Sequence, residues 1–165
     1  MNILTIILRL IHILAGVFWV GGAWMMKFYI APTVGDTAEA GQKFMSHFTG
    51  KTNFLNMVTA AAGLAVTAGV ILYIRNPPGW SSSSSGIGFS IGALFATIGF
   101  VYGILIGRNT KAVLALGAQI KGQPTPEQLA QMQMLQKRLG TYSTVNAYAL
   151  LLAVTFMATS RYFIF

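Results

Sequence analysis

Charged residues divide the chain into four long apolar runs. Leu10 to Met26 carries no formal charge, and apolar residues continue on both sides, which predicts a first span over about Ile3–Ile30. Thr52 to Ile74 forms the second run. The third lies between Arg75 and Arg108, with its apolar part near Ile87–Ile106, and the fourth runs from Leu139 to Ser160 and on to the C-terminus. Each run reaches the roughly 20 helical residues needed to cross a hydrocarbon core of about 30 Å. Strand-type alternation is absent, so the pattern reads as helices and not as a barrel. The predicted fold is an all-α integral membrane domain over residues 1–165, a four-transmembrane-helix bundle. Hairpin 1–75 is joined by an outer loop 76–86 to hairpin 87–165.

Start signals repeat between the hairpins. Asp36 followed by Glu39 fits a capping box just after Pro32 and Gly35, which are expected to break the first helix. Thr125, Pro126 and Gln128 give a second box with proline at the first helical position. From each cap a mixed stretch leads to a glycine (Gly50, Gly140) and, six residues later, to an asparagine (Asn56, Asn146). These matched positions suggest a parallel repeat of two hairpins. They also suggest helical extensions beyond the membrane, Arg108–Lys121 and Pro126–Leu139, with Val113, Leu116 and Ile120 packing on Leu129, Met132 and Leu139. Asn56 and Asn146 are expected to hydrogen-bond across helices.

Composition strengthens the membrane reading. Residues of the AVILMFWYC set make up 55% of the chain and charged residues 8%. Soluble domains carry roughly 25% charged residues. The chain is too apolar for disorder. The net charge of +8 resembles a nucleic-acid footprint, but in a membrane protein it reflects lysines and arginines retained on one side, and no nucleic-acid partner is expected. Lys27, Lys43, Lys51, Arg108, Lys111, Lys121, Lys137 and Arg138 lie at the end of the two connecting loops, and Arg9, Arg75 and Arg161 at the end of the termini. This asymmetry predicts cytoplasmic loops with both termini outside. The N-terminus lacks a basic n-region and a small-residue cleavage site, so the first run is expected to be a span and not a signal peptide.

No cysteine is present, which removes disulfides, iron–sulfur clusters, thiolate zinc sites and covalent c-type haem. Only Asp36, Glu39 and Glu127 are acidic, too few for a carboxylate-rich dinuclear site. The informative segment is the first helix, where Arg9, His12, Gly16 and Trp19 share a face at spacings of three and four. An ionisable residue inside a span is costly and points to function by default. His12 lies about 13 Å along the helix. Its imidazole can ligate haem iron, or it can hydrogen-bond a threonine or backbone carbonyl of a neighbouring helix. In the haem reading, Gly16 clears room for a flat macrocycle, Arg9 faces a propionate and Trp19 floors the pocket. Gly92 and Ala96, at the same depth on the third span, form a smooth wall. Met157 on the fourth span is a candidate second axial ligand, with five-coordinate iron as the alternative. The ridge Gly88, Gly92, Ala96, Gly99, Gly103 and Gly107, and that of Ala61, Ala65 and Ala68, equally suit close helix packing. His47 sits near the other membrane face and reads as an interfacial residue. No catalytic set is discernible.

The segment "IHILAGVFWVGGAWMMKFYIAPTV" resembles the opening helix of small bacterial membrane proteins that include copper-resistance D-like domains and HemJ-type protoporphyrinogen oxidases. The pattern is carried by His12, Trp19, Gly21, Gly22, Ala31 and Pro32 over roughly 30 residues, with looser similarity in "GQKFMSHF" and "PTPEQLAQMQMLQKRLG". For the oxidase family the resemblance implies haem b ligated by the residue matching His12. It also implies a lysine on a later span, and this chain has no lysine inside spans two to four. For the copper-resistance group it implies copper handling, with Met25 or Met26, His47 and Met57 as candidates; thioether and imidazole suit Cu(I). The leading expectation is a haem b protein with a redox or electron-transfer role in the bacterial inner membrane. The alternatives are a copper-handling protein and a haem-free structural subunit of a larger membrane complex or homo-oligomer.

Overall fold

A computed structural model of the chain describes residues 2–163. Among the described residues there is no strand, and four helices are long and apolar enough to cross a membrane. The chain is an integral membrane protein by this criterion. Its large apolar side chains point outward, as Leu14 and Val17 do at 67% exposure each. In water such a surface would drive aggregation; against lipid it is the expected exterior.

Helix α1 (Ile3–Trp24) starts at Asn2, whose side chain accepts the Leu4 N–H. It does not stop at Pro32. It widens into a π-helical segment (Met25–Ile30) and continues as α2 (Ala31–Asp36). A proline ring in a regular α-helix collides with the carbonyl four residues earlier. The wider turn, in which the Ala31 N–H reaches the Met26 carbonyl, takes up that collision, so the expected break at Pro32 and Gly35 is absent. The chain turns instead at Thr37 and Ala38, where Ala38 adopts φ +46°. Gly41 makes this corner possible, because a Cβ there would lie 2.5 Å from the Val34 carbonyl oxygen.

The Asp36–Glu39 capping box does not form. Asp36 is the last residue of α2, Thr37 precedes α3 (Ala38–Lys51) without a side-chain cap, and Glu39 pairs with Lys43 at 2.7 Å. That ion pair is exposed and contributes little to stability. By contrast the Thr125–Gln128 box is fully made, with Pro126 opening α6 (Pro126–Thr159). The chain between the first two spans is also broken at Thr52 and Asn53 before α4 (Phe54–Ile74), whereas α6 runs unbroken into the membrane. Asn146 is buried and Asn56 exposed, so the matched sequence positions occupy unlike environments.

Helix α5 (Ser84–Gln119) follows a short 3-10 turn (Trp80–Ser82) and is capped by the Ser83 hydroxyl. At about 54 Å long, it outreaches the hydrocarbon core. Its last turns pair with the start of α6 through buried Leu116 and Leu135. The most extensive packing joins α1 to α4 and α5 to α6, both antiparallel. Narrower seams join α4 to α5 and α1 to α6, leaving α1 and α5 diagonal to one another. In lipid, helices gain no hydrophobic driving force from one another, so close packing and interhelical hydrogen bonds hold them. On α5, Gly88 meets Phe163, Gly92 meets Met157 and Gly99 meets Leu150. Two buried amides add rungs, Asn146 donating to the Gly99 carbonyl at 2.6 Å and Asn109 to that of Leu135 at 2.7 Å.

A side chain at Gly99 would begin 2.6 Å from Leu150 Cδ2, and Leu150 is 1% exposed with nowhere to retreat. We predict that Gly99→Leu destabilises the bundle by about 1–3 kcal/mol or more, and Asn146→Ala by about 1 kcal/mol. Thermal unfolding in detergent measures both; an unchanged midpoint for Gly99→Leu would refute the packing account.

Candidate functional site

His12 lies half-buried on the face of α1 that meets α4. Its Nδ1 is 2.7 Å from the Ala65 carbonyl oxygen. A carbonyl only accepts, so Nδ1 carries a proton and donates it, and in the neutral ring this leaves Nε2 with its lone pair. No protein donor among the described residues meets Nε2. The ring can approach α4 this closely because residue 69 is glycine. A Cβ there would come within 2.8 Å of His12 Cε1 and 3.0 Å of Nδ1.

Gly16, one turn further along α1, has no atom within 4 Å of where its Cβ would be, so the surface beside the imidazole is clear. Arg9, one turn nearer the terminus, is exposed. Trp19 is 5% exposed and packs with Ala61, Ala62, Ala65 and Leu150 in the principal core cluster. Its ring meets Phe100 edge to face at 6.2 Å, the point where α1 and α5 touch across the diagonal. Trp19 therefore closes the bundle interior below His12.

The expected wall of Gly92 and Ala96 opposite α1 takes another form. Gly92 is buried beneath the Met157 side chain and the Ala153 carbonyl of α6. The cause is the diagonal placement of α1 and α5, which turns the α5 glycines towards α6. Met157 is thereby committed to the α5–α6 interface while His12 lies on α4, so the structure places the two candidate axial ligands at different interfaces. Ala96 is half-buried.

Near the other end, His47 is exposed. It lines an open groove of about 760 Å³ between α3 and α5 with Lys43, Lys51 and Leu114. Glu39, paired with Lys43, lines the same groove, and no methionine among the described residues does. Met25 and Met57 are exposed and Met26 is half-buried. Among the described residues, no group of three or more His, Cys, Asp or Glu side chains could hold a metal ion.

Two features of the His12 site were not visible in the residue types. Gly69 reads as one small residue among many on α4, and nothing local marks the Ala65 carbonyl as an acceptor. Away from that site, the Trp24 indole N–H donates to the Ala147 carbonyl at 3.1 Å and ties α1 to α6, a contact that no local sequence signal marks. The chain matches no family model, no curated protein and no solved structure.

The imidazole position depends on Gly69. Gly69→Ala should push the ring off the Ala65 carbonyl while α4 stays helical, since alanine favours helix. Nitrogen chemical shifts of ring-labelled His12 report this directly: loss of the Nδ1–H tautomer is expected, and an unchanged spectrum would show that the glycine contact does not set the ring.

Proposed function

We propose that this protein binds haem b through His12 Nε2 and serves a redox or electron-transfer role in the bacterial inner membrane. The observation that carries the reading is the fixed tautomer. The Nδ1–H of His12 is anchored on a backbone carbonyl, and its unshared Nε2 lone pair has no donor. A metal-bound histidine has the same arrangement, its second nitrogen held by a carbonyl or carboxylate that sets the ring and raises its basicity. Gly16 supplies a clear surface one turn away, and Arg9 a positive charge at the rim. Met157 is engaged with Gly92, so we take the protein to ligate the iron on one side only. Bound haem supplies one-electron chemistry; the chain's part is to hold the ligand, exclude water with its apolar surface and balance propionate charge. Copper handling gains no observation of its own, because no thioether among the described residues lines the His47 groove.

The same reading places both termini outside, with α3 and the α5–α6 extensions in the cytoplasm. The support is the crowding of basic residues at the connecting-loop end. We further propose that the two antiparallel pairs, α1 with α4 and α5 with α6, descend from one parallel hairpin repeat. The lipid bilayer is the surrounding partner, and a second copy or a larger complex would assemble through it.

Haem-supplemented expression tests the site. The wild type should show a Soret band that shifts on dithionite reduction, His12→Ala should lose most of it while still accumulating in the membrane, and Met157→Leu should leave it unchanged. A colourless wild type would end the proposal and leave His12 as a packing residue. Topology is tested separately, since the chain has no cysteine of its own. In intact cells an impermeant maleimide should label Ser83→Cys and spare Gln123→Cys; the opposite pattern would reverse the orientation.

A further inference from the structure

Where the narrow α1–α6 seam reaches the connecting-loop end, it opens into a groove of about 450 Å³ lined by Lys27, Lys137, Gly140, Thr141, Thr144 and Val145. Lys27 stands on the π-helical segment of the first span and is half-buried; Lys137 stands on α6 just before its apolar run. No carboxylate lines the groove, and neither ammonium has an ion-pair partner among the described residues. The two threonine hydroxyls donate back into their own helix, Thr141 to the Lys137 carbonyl and Thr144 to that of Gly140. Recognition in the groove therefore falls to the two ammonium groups that line it, Lys27 half-buried and Lys137 exposed.

Depth identifies the ligand. Gly22, just over one turn before Lys27, packs on Phe54 and Val58 at the start of α4, so Lys27 lies level with the ends of the apolar runs. Phospholipid phosphates lie just beyond that level, within reach of a lysine side chain. On the membrane side of the groove, Phe28 and Tyr148 meet edge to face at 6.1 Å and both are exposed, giving a smooth aromatic surface on which an acyl chain can lie. Basic pockets between transmembrane helices at this level suit anionic headgroups. The π segment, which the chain needs to pass Pro32, also carries Lys27 to this groove.

We propose that the groove between the π segment and α6 binds the phosphate of one anionic phospholipid, clamped between Lys27 and Lys137. The inference is independent of the haem reading. It is tested on the purified full-length protein by native mass spectrometry and by titration in detergent with phosphatidylglycerol, phosphatidylcholine and inorganic phosphate. Wild type should retain phosphatidylglycerol over phosphatidylcholine. The pair Lys27→Gln and Lys137→Gln should weaken phosphatidylglycerol binding about thirtyfold. The pair Lys27→Arg and Lys137→Arg, which keeps the charge, should retain binding. Lys43→Gln with Lys51→Gln, an equal charge loss at the neighbouring groove, should leave it unchanged. Equal loss in that control would show a diffuse basic surface and overturn the site. Competition by inorganic phosphate at matched concentration would overturn the lipid as its source. Wild-type binding that does not distinguish the two lipids would overturn both.

Discussion

Close approach of helix backbones is the constraint on which this structure depends. A bilayer offers helices no reward for burying leucine against leucine, since lipid tails serve equally well. What remains is contact that lipid cannot imitate, and the chain supplies it with small residues. Ala61, Ala65 and Ala68 on α4 and Gly88, Gly92 and Gly99 on α5 bring neighbouring helices close enough for side chains to seat directly on backbone. The buried amides of Asn109 and Asn146 then find carbonyls within reach, and the Trp24 indole does the same between α1 and α6. The outer faces are left to lipid and carry large, loosely specified aliphatic side chains.

The same constraint decides the candidate site. His12 is held because α4 presents a glycine and a carbonyl at the right height, and both follow from the closeness of the α1–α4 pair. The diagonal position of α5 follows from the strength of its own pairing with α6. Once Met157 has filled the space over Gly92, that glycine is no longer available to a ligand shared with α1. Packing and ligand binding thus draw on the same small residues.

Much of this was readable from the chain, and the misreadings have specific causes. The four spans are evident because charge is so scarce that each lysine or arginine marks an end. The Thr125 box was legible because capping is a local matter of four residues. The Asp36 box has equally good local chemistry and still does not form, because the preceding helix reaches through Pro32 to occupy the position. That extension depends on a widened turn which no residue type announces. Asn146 and Asn56 look equivalent in sequence; only the partner helix decides that one is buried and the other not. His12 was singled out by its residue type inside a span, whereas its tautomer needed the Ala65 carbonyl, 53 residues away, to be in place.

The widened turn at Met25–Ile30 amounts to one residue more than a regular helix needs over the same rise. Removing a single residue from it would restore an ordinary α-helix and leave everything beyond at nearly the same angle, because the wide turn absorbs the extra residue instead of passing on its roughly 100°. The surface helix α3 would keep its flank of the bundle, whereas the same deletion in a regular stretch of α1 would swing it to another. Insertions and deletions in apolar helices are usually judged by whether the span remains long enough. Here length is ample, and the outcome turns on whether the lost residue comes from the widened turn or from a regular one, since only the second alters angular phase.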